Sequence, residues 1–191
     1  MILASSSPRR RELLTQIGVH FRIQAADIDE TPLAGEGAVA YVERMALEKA
    51  RKVAEEHPQE VVLGSDTSVI FSGEILGKPV NNREAEETLQ RLSGQTHQVL
   101  SAVALVQGDK EKVISVATEV TFRSLSDEEI ARYVATGEPA DKAGSYGIQG
   151  MGAILVAGIS GSYSNVVGLP LTETAALLNE FDVPVWHTEE L

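Results

Sequence analysis

Between residues 37 and 71 the sequence switches from one period to another. From Gly37 to His57, Ala38, Val42, Met45, Ala46, Ala50 and Val53 recur at the spacing of one helix face. Val61 to Phe71 follows at once, an apolar, β-branched run that reads as a strand, with Ser72-Gly73 as a hairpin turn into Glu74–Pro79. The same exchange of helix and strand patterns recurs along the chain, with no linker, repeat or low-complexity stretch. The spacing therefore predicts an α/β or α+β fold in which helices cover a mixed sheet, as one domain over residues 1–191 with two lobes and a cleft.

The remaining elements follow the same reading. Ile2-Leu3-Ala4 is a short strand, Ser5-Ser6-Ser7 a turn, and Pro8 the first position of an amphipathic helix that stops at Gly18. Phe21 to Ala25 reads as a strand leading into an acidic loop, Asp27 to Pro32. Asn82 is expected to cap a helix ending near Ser93-Gly94. Gln98–Gln107 and Lys112–Phe122, joined by Gly108-Asp109, suggest an antiparallel ribbon. Ser126-Asp127-Glu128-Glu129 is a capping box opening a helix that stops at Gly137. A glycine-rich loop covers Ala143 to Gly152, Ala153 to Ile159 is a strand, and a last helix runs from Pro170 to about Phe181. The tail from Asp182 to Leu191 reads as frayed or loosely packed.

Charge is unevenly placed. The chain has 191 residues and a formal charge of −12, from 28 acidic and 16 basic side chains. That balance argues against broad nucleic-acid binding, which needs a basic face. Yet Arg9, Arg10 and Arg11 crowd the first turn of a helix, where unpaired N–H groups already carry partial positive charge. Something negative is expected there, a phosphate group first. The absence of cysteine excludes disulfides, thiol catalysis and thiolate metal sites, and is compatible with a cytoplasmic location. No apolar run reaches the length of a membrane helix, and the N-terminal apolar stretch is too short for a signal peptide.

Other residues look wrong for structure alone. Lys49 lies on the apolar face of its helix, so it either meets an anion or snorkels its ammonium to water. Asp66 interrupts the apolar strand, where a lone carboxylate is costly without a cation, N–H donors or a metal. An exposed edge or bulge is the alternative. Gly64, two residues earlier, permits close approach of another group. Asp27, Asp29 and Glu30 are ordinary turn residues by themselves, but with Asp66 they could offer hard oxygen ligands to magnesium or manganese. The four histidines share no metal-ligand spacing. Gly144, Gly147, Gly150 and Gly152 are spaced for a tight loop against a ligand or another backbone. A basic helix start, lysines and separated carboxylates together suit a phosphate ester or phosphoanhydride. No serine–histidine–acid set suggests acyl transfer.

These segments resemble a known family. Ile2–Arg10 with Glu12-Leu13-Leu14 is similar to the opening signature of the Maf nucleoside triphosphate pyrophosphatases. Glu48–Ala50, Leu63–Thr67, Leu76–Pro79, Leu92–His97, Asp141–Gly150, Gly161–Tyr163 and Asn165–Pro170 extend the match in order, leaving only the tail from about Asp182 outside. The resemblance implies an elongated mixed sheet flanked by helices, similar to the inosine-triphosphate pyrophosphatase fold. It implies hydrolysis of a nucleoside triphosphate to monophosphate and pyrophosphate with Mg2+ or Mn2+. Asp66 is then the proton acceptor and, with Glu30, the metal-side carboxylate. Arg9, Lys49 and Lys78 grip phosphates, and Ser5 and Ser7 add hydroxyl or backbone contacts. Arg10, Thr67 and Gln149 resemble the trio of the subgroup acting on dTTP and UTP, with modified pyrimidine nucleotides as further targets in nucleotide-pool cleaning. A homodimer is implied too. The alternative is a nucleotide-sensing regulator of cell division in which hydrolysis is incidental.

Overall fold

The computed structural model describes residues 1–187. Its strands are β1 (Ile2–Leu3), β2 (Arg22–Ile23), β3 (Val62–Phe71), β4 (Glu74–Leu76), β5 (Thr96–Gln107), β6 (Lys110–Phe122) and β7 (Val156–Ser160). They form a mixed seven-stranded sheet in the order β2-β1-β3-β5-β6-β7, with β4 beside β3. β1 runs parallel to both β2 and β3, while β4 returns antiparallel to β3 and β7 antiparallel to β6. The helices are α1 (Pro8–Gln16), α2 (Ala38–Ala54), α3 (Asn82–Leu92), α4 (Asp127–Ala135), α5 (Tyr163–Val167) and α6 (Leu171–Glu180). None among the described residues is long and apolar enough to cross a membrane.

The chain divides into two compact units. The first contains Met1–Asp66, Ser101–Val116 and the described residues from Gly168 onward. β1 and the start of β3 are fully buried there, as parallel strands are when both faces are covered. α2 turns Val42, Met45, Ala46, Lys49, Ala50 and Val53 inward, the stripe read from its period, although Ala38 stays at the margin. β3 and α2 approach more closely than any side chain would allow. A Cβ on Gly64 would run into the Ala46 carbonyl oxygen and lie 2.7 Å from the Ala50 nitrogen. Gly64 is therefore a backbone-contact glycine, and the helix is the group that approaches it.

The second unit, Thr67–Leu100 and Ala117–Val167, has its own core. Val69, Leu89, Leu92, Val99, Val120, Phe122, Ile130 and Tyr146 are among its buried members. The capping box forms as expected: the Ser126 side chain accepts from Glu129 N, and the Glu129 carboxylate accepts from Ser126 N at 2.9 Å. The α3 cap is Asn81, not Asn82; its side chain accepts from Glu84 N at 3.0 Å, and Asn82 is already helical.

Other boundaries also move. The strand expected over Ala153–Ile159 begins only at Val156, because Met151–Leu155 is wound as 3-10 helix. α5 occupies a stretch given no helix by its sequence, and β2 is shorter than Phe21–Ala25. The tail is tied down as far as it is described. Trp186 N donates to Ile17 O at 2.7 Å, His187 N donates to Gly18 O at 3.1 Å, and the His187 ring meets His20 edge-on. Residues 188–191 of that segment lie outside the described residues.

Candidate active site

α1 opens as its sequence dictates. Ser7 caps it, Pro8 takes the first turn, and that turn holds no acidic residue to offset Arg9 and Arg10. The turn folds back on itself through the serines. Ser5 Oγ accepts from Ser7 N at 3.2 Å and from Arg10 Nη1 at 3.3 Å. Arg10 Nε donates to the carbonyl of Gly168 at 3.0 Å, across 158 residues of sequence. Burial lowers the Arg10 pKa from its usual range; Asp66 opposes that shift, Arg9 adds to it and Glu30 opposes it. A guanidinium so placed is still a permanent cation.

Lys49 resolves the two readings of its position. Its ammonium is not snorkelled to water: Nζ lies 2.8 Å from Asp66 Oδ1 and 2.8 Å from Glu30 Oε1. Both Lys49 and Asp66 are 9% exposed, so this is a buried pair, and Glu30 closes it from the exposed side. Asp66 thereby finds the cation that its place in the strand required. The strand-edge alternative fails, since Val62 to Asp66 is buried without interruption. The first unit thus brings together Ser5, Ser7, Arg9, Arg10, Glu30, Lys49 and Asp66: a basic helix start beside two carboxylates that share one lysine.

Of the acidic loop, only Glu30 joins this group. Asp29 Oδ1 accepts from Thr31 N at 2.9 Å and closes a local turn, the ordinary role of such a residue. Among the described residues no three His, Asp or Glu side chains converge to enclose a metal. Glu30 and Asp66 are the two carboxylates on the Lys49 ammonium.

Thr67, Lys78 and Gln149 belong to the second unit. Thr67 is half-buried on β3, directly after Asp66, while Lys78 and Gln149 are exposed. The glycine-rich loop around Gln149 is shaped by its own chain. The Glu138 carboxylate accepts from Met151 N at 2.8 Å and Gly152 N at 2.9 Å. Tyr133 Oη donates to Glu138 Oε1 at 2.7 Å and accepts from Gly147 N at 3.2 Å. A Cβ at Gly150 would strike the Glu138 carboxylate, and one at Gly152 would lie 2.6 Å from the Tyr133 hydroxyl. These two glycines make room for an internal polar knot, which holds the loop that displays Gln149.

Some members of the site had no local signal in the sequence. Gly168 serves through a carbonyl, which any residue type possesses. Tyr41 and Arg44, which donate to the carbonyls of Glu30 and Thr31, and Glu36, which accepts from Arg44, have spacings that match no motif.

Comparison with known proteins identifies the family. The model of the family described as Maf-like protein matches residues 1–181. The chain belongs to the Maf family. Among curated relatives, the dTTP/UTP pyrophosphatase of Myxococcus xanthus is 56% identical over 185 residues, 97% of this chain and 94% of that protein. The protein of the same name from Symbiobacterium thermophilum is 53% identical over 186 residues, covering 97% and 96% respectively. A solved structure, the Ham1 protein of Staphylococcus aureus, aligns with a TM-score of 0.40 and 13% identity over 63% of this chain and 70% of that one. That likeness is too low to carry an argument.

Proposed function

We propose that this chain is a nucleoside triphosphate pyrophosphatase that cleaves dTTP and UTP between the α and β phosphates, releasing monophosphate and pyrophosphate and so clearing the nucleotide pool. The observation that carries the reading is the Lys49 ammonium held between Asp66 and Glu30 beside the Arg9–Arg10 turn. It is supported by relatives of 51–56% identity, all named dTTP/UTP pyrophosphatase. The names are those of enzymes, and no observation favours the sensing role over catalysis.

Within this reading Arg9, Lys49, Lys78 and the α1 N-terminus neutralise phosphate oxygens. Asp66 accepts the proton of the attacking water, whose oxygen bonds to phosphorus as the bridging oxygen leaves with its electron pair. Ser5 and Ser7 give the turn its shape and hold Arg10 in place. Glu30 and Asp66 fit a divalent cation of the Mg2+ or Mn2+ type, which commonly takes one or two carboxylates and completes its shell with water and substrate phosphates. Bound there, such an ion would supply further neutralisation of developing charge. Arg10, Thr67 and Gln149 set base preference. A glutamine amide donates to a carbonyl and accepts the ring N–H of uracil or thymine, a pattern that cytosine inverts.

The test is a panel of nucleoside triphosphates, canonical and modified, assayed separately for pyrophosphate and orthophosphate with and without chelator. Pyrophosphate is expected from dTTP and UTP, and Asp66→Asn is expected to slow turnover by about a hundredfold or more. Release of orthophosphate alone, or an Asp66→Asn enzyme at the native rate, overturns the scheme.

A further inference from the structure

Glu30 poses a positioning problem. Its segment, from Gln24 to Gly37, forms neither helix nor strand, and residues 29–35 are exposed throughout. Leu33 is 60% exposed, and Ile28, two residues before Glu30, is only partly buried, so neither sets a firm apolar anchor. The Glu30 carboxylate nevertheless stands 2.8 Å from the Lys49 ammonium. Burial gives residues 29–35 little hold, so polar contacts carry their placement.

Those contacts come from one helix. Arg44 on α2 forks onto Glu36, Nε to Oε1 at 2.6 Å and Nη2 to Oε2 at 2.7 Å. The same Nη2 donates to the carbonyl of Thr31, next to Glu30, at 3.1 Å. Glu36 in turn accepts from Leu33 N at 3.0 Å, and its own N–H donates to Leu33 O at 3.0 Å. Tyr41, one turn before Arg44, donates its hydroxyl to the carbonyl of Glu30 itself at 2.9 Å, and the Arg44 guanidinium lies over its ring. The Glu36 side chain is only 8% exposed and that of Arg44 20%, so the fork is partly shielded from water, more than a fully exposed pair would be. A lysine could supply the charge but not the planar, two-point grip.

We infer that Arg44 is a positioning residue: through its fork on Glu36 and its bond to Thr31 it fixes the exposed segment so that Glu30 meets Lys49. α2 then delivers Lys49 and the brace for the carboxylate facing it from one rigid element. The inference rests on the proposed reading in giving Glu30 a part in the reaction; the bracing itself does not.

The test uses Arg44→Lys, which keeps the charge and loses the fork, alone and combined with Glu30→Gln. Hydrogen exchange by mass spectrometry reads the amides of residues 29–36, with β1 and β3 amides as internal reference. In Arg44→Lys the segment's exchange should rise about tenfold or more, the scale of a lost charge-assisted hydrogen bond, while the reference strands stay unchanged. Turnover of dTTP should fall by a similar factor. In the Glu30→Gln background, however, adding Arg44→Lys should cost less than about twofold more, because both changes remove the same carboxylate from its place.

Unchanged exchange in the segment overturns the inference. So does an Arg44→Lys loss of the same factor in both backgrounds, which would mean that Arg44 acts elsewhere. If the native enzyme releases no pyrophosphate, the functional reading fails, and the exchange measurement still decides the bracing.

Discussion

Lys49 serves two acids at once, and its energetics follow from that. Removing one partner of a buried ion pair leaves an uncompensated charge, which commonly costs more than the pair itself contributed. Lys49→Met should therefore lower the unfolding free energy by about 3 kcal/mol, read by urea titration. Adding Asp66→Asn to that chain should recover part of the loss, since the stranded carboxylate is then gone. A Lys49→Met protein as stable as the native one would show that Arg10 alone suffices for Asp66. The sequence could pose this residue as a question but not answer it. A lysine on an apolar stripe and an aspartate in an apolar strand each demanded a partner. That they are each other's partner is a fact of folding, because they stand 17 positions apart, with the end of α2, a turn and the start of β3 between them.

At the scale of elements, the contact of α2 with β3 is the one that positions this pair. Gly64 lets the two backbones touch, and Lys49 and Asp66 lie on either side of that contact. Gly64→Ala would force the helix away from the strand. We expect a destabilisation of about 2 kcal/mol or more, with a loss of turnover larger than the stability change explains. Native turnover in a folded Gly64→Ala protein would detach catalysis from this contact. The elements themselves were largely readable: α2, β3, α4 and the β5–β6 pair follow period, capping and turn chemistry. Other features were not, because their causes are distant. Met151–Leu155 winds as 3-10 helix beside the knot tied by Glu138 and Tyr133, and no local pattern announces that knot. The fork of Arg44 on Glu36 joins a helix to the residue before its own cap, a spacing that no helical rule covers.

For the molecule as a whole, pH dependence exposes groups that the active site does not use. His97 is buried against Phe122 and Tyr146, with Nε2 2.8 Å from the Tyr146 hydroxyl. Desolvation lowers its pKa from 6.5 to about 4. Between those values the unfolded chain binds a proton that the folded chain refuses. Stability is therefore full above 6.5 and is lost as pH falls to about 4, by about 3 kcal/mol on the scale of 1.36 kcal/mol per unit. Glu36, bonded to Arg44, and Glu129, bonded to Arg123, are held at about 2, so their share is lost later, as pH falls from 4.5 toward 2. Melting temperatures measured from pH 7.5 to 3 should fall in two stages, and His97→Phe should erase the first. A native-like first stage in His97→Phe would assign it to another group.

The bond from Arg10 to Gly168 has a consequence in time. During synthesis the arginine turn leaves the ribosome before its carbonyl anchor, which is made 158 residues later. A nascent chain halted before α5 would carry the cations without the clasp that aims one of them. Competence to receive an anionic ligand should thus arrive late in translation, and ribosome-bound intermediates of increasing length should acquire it abruptly once Gly168 has emerged.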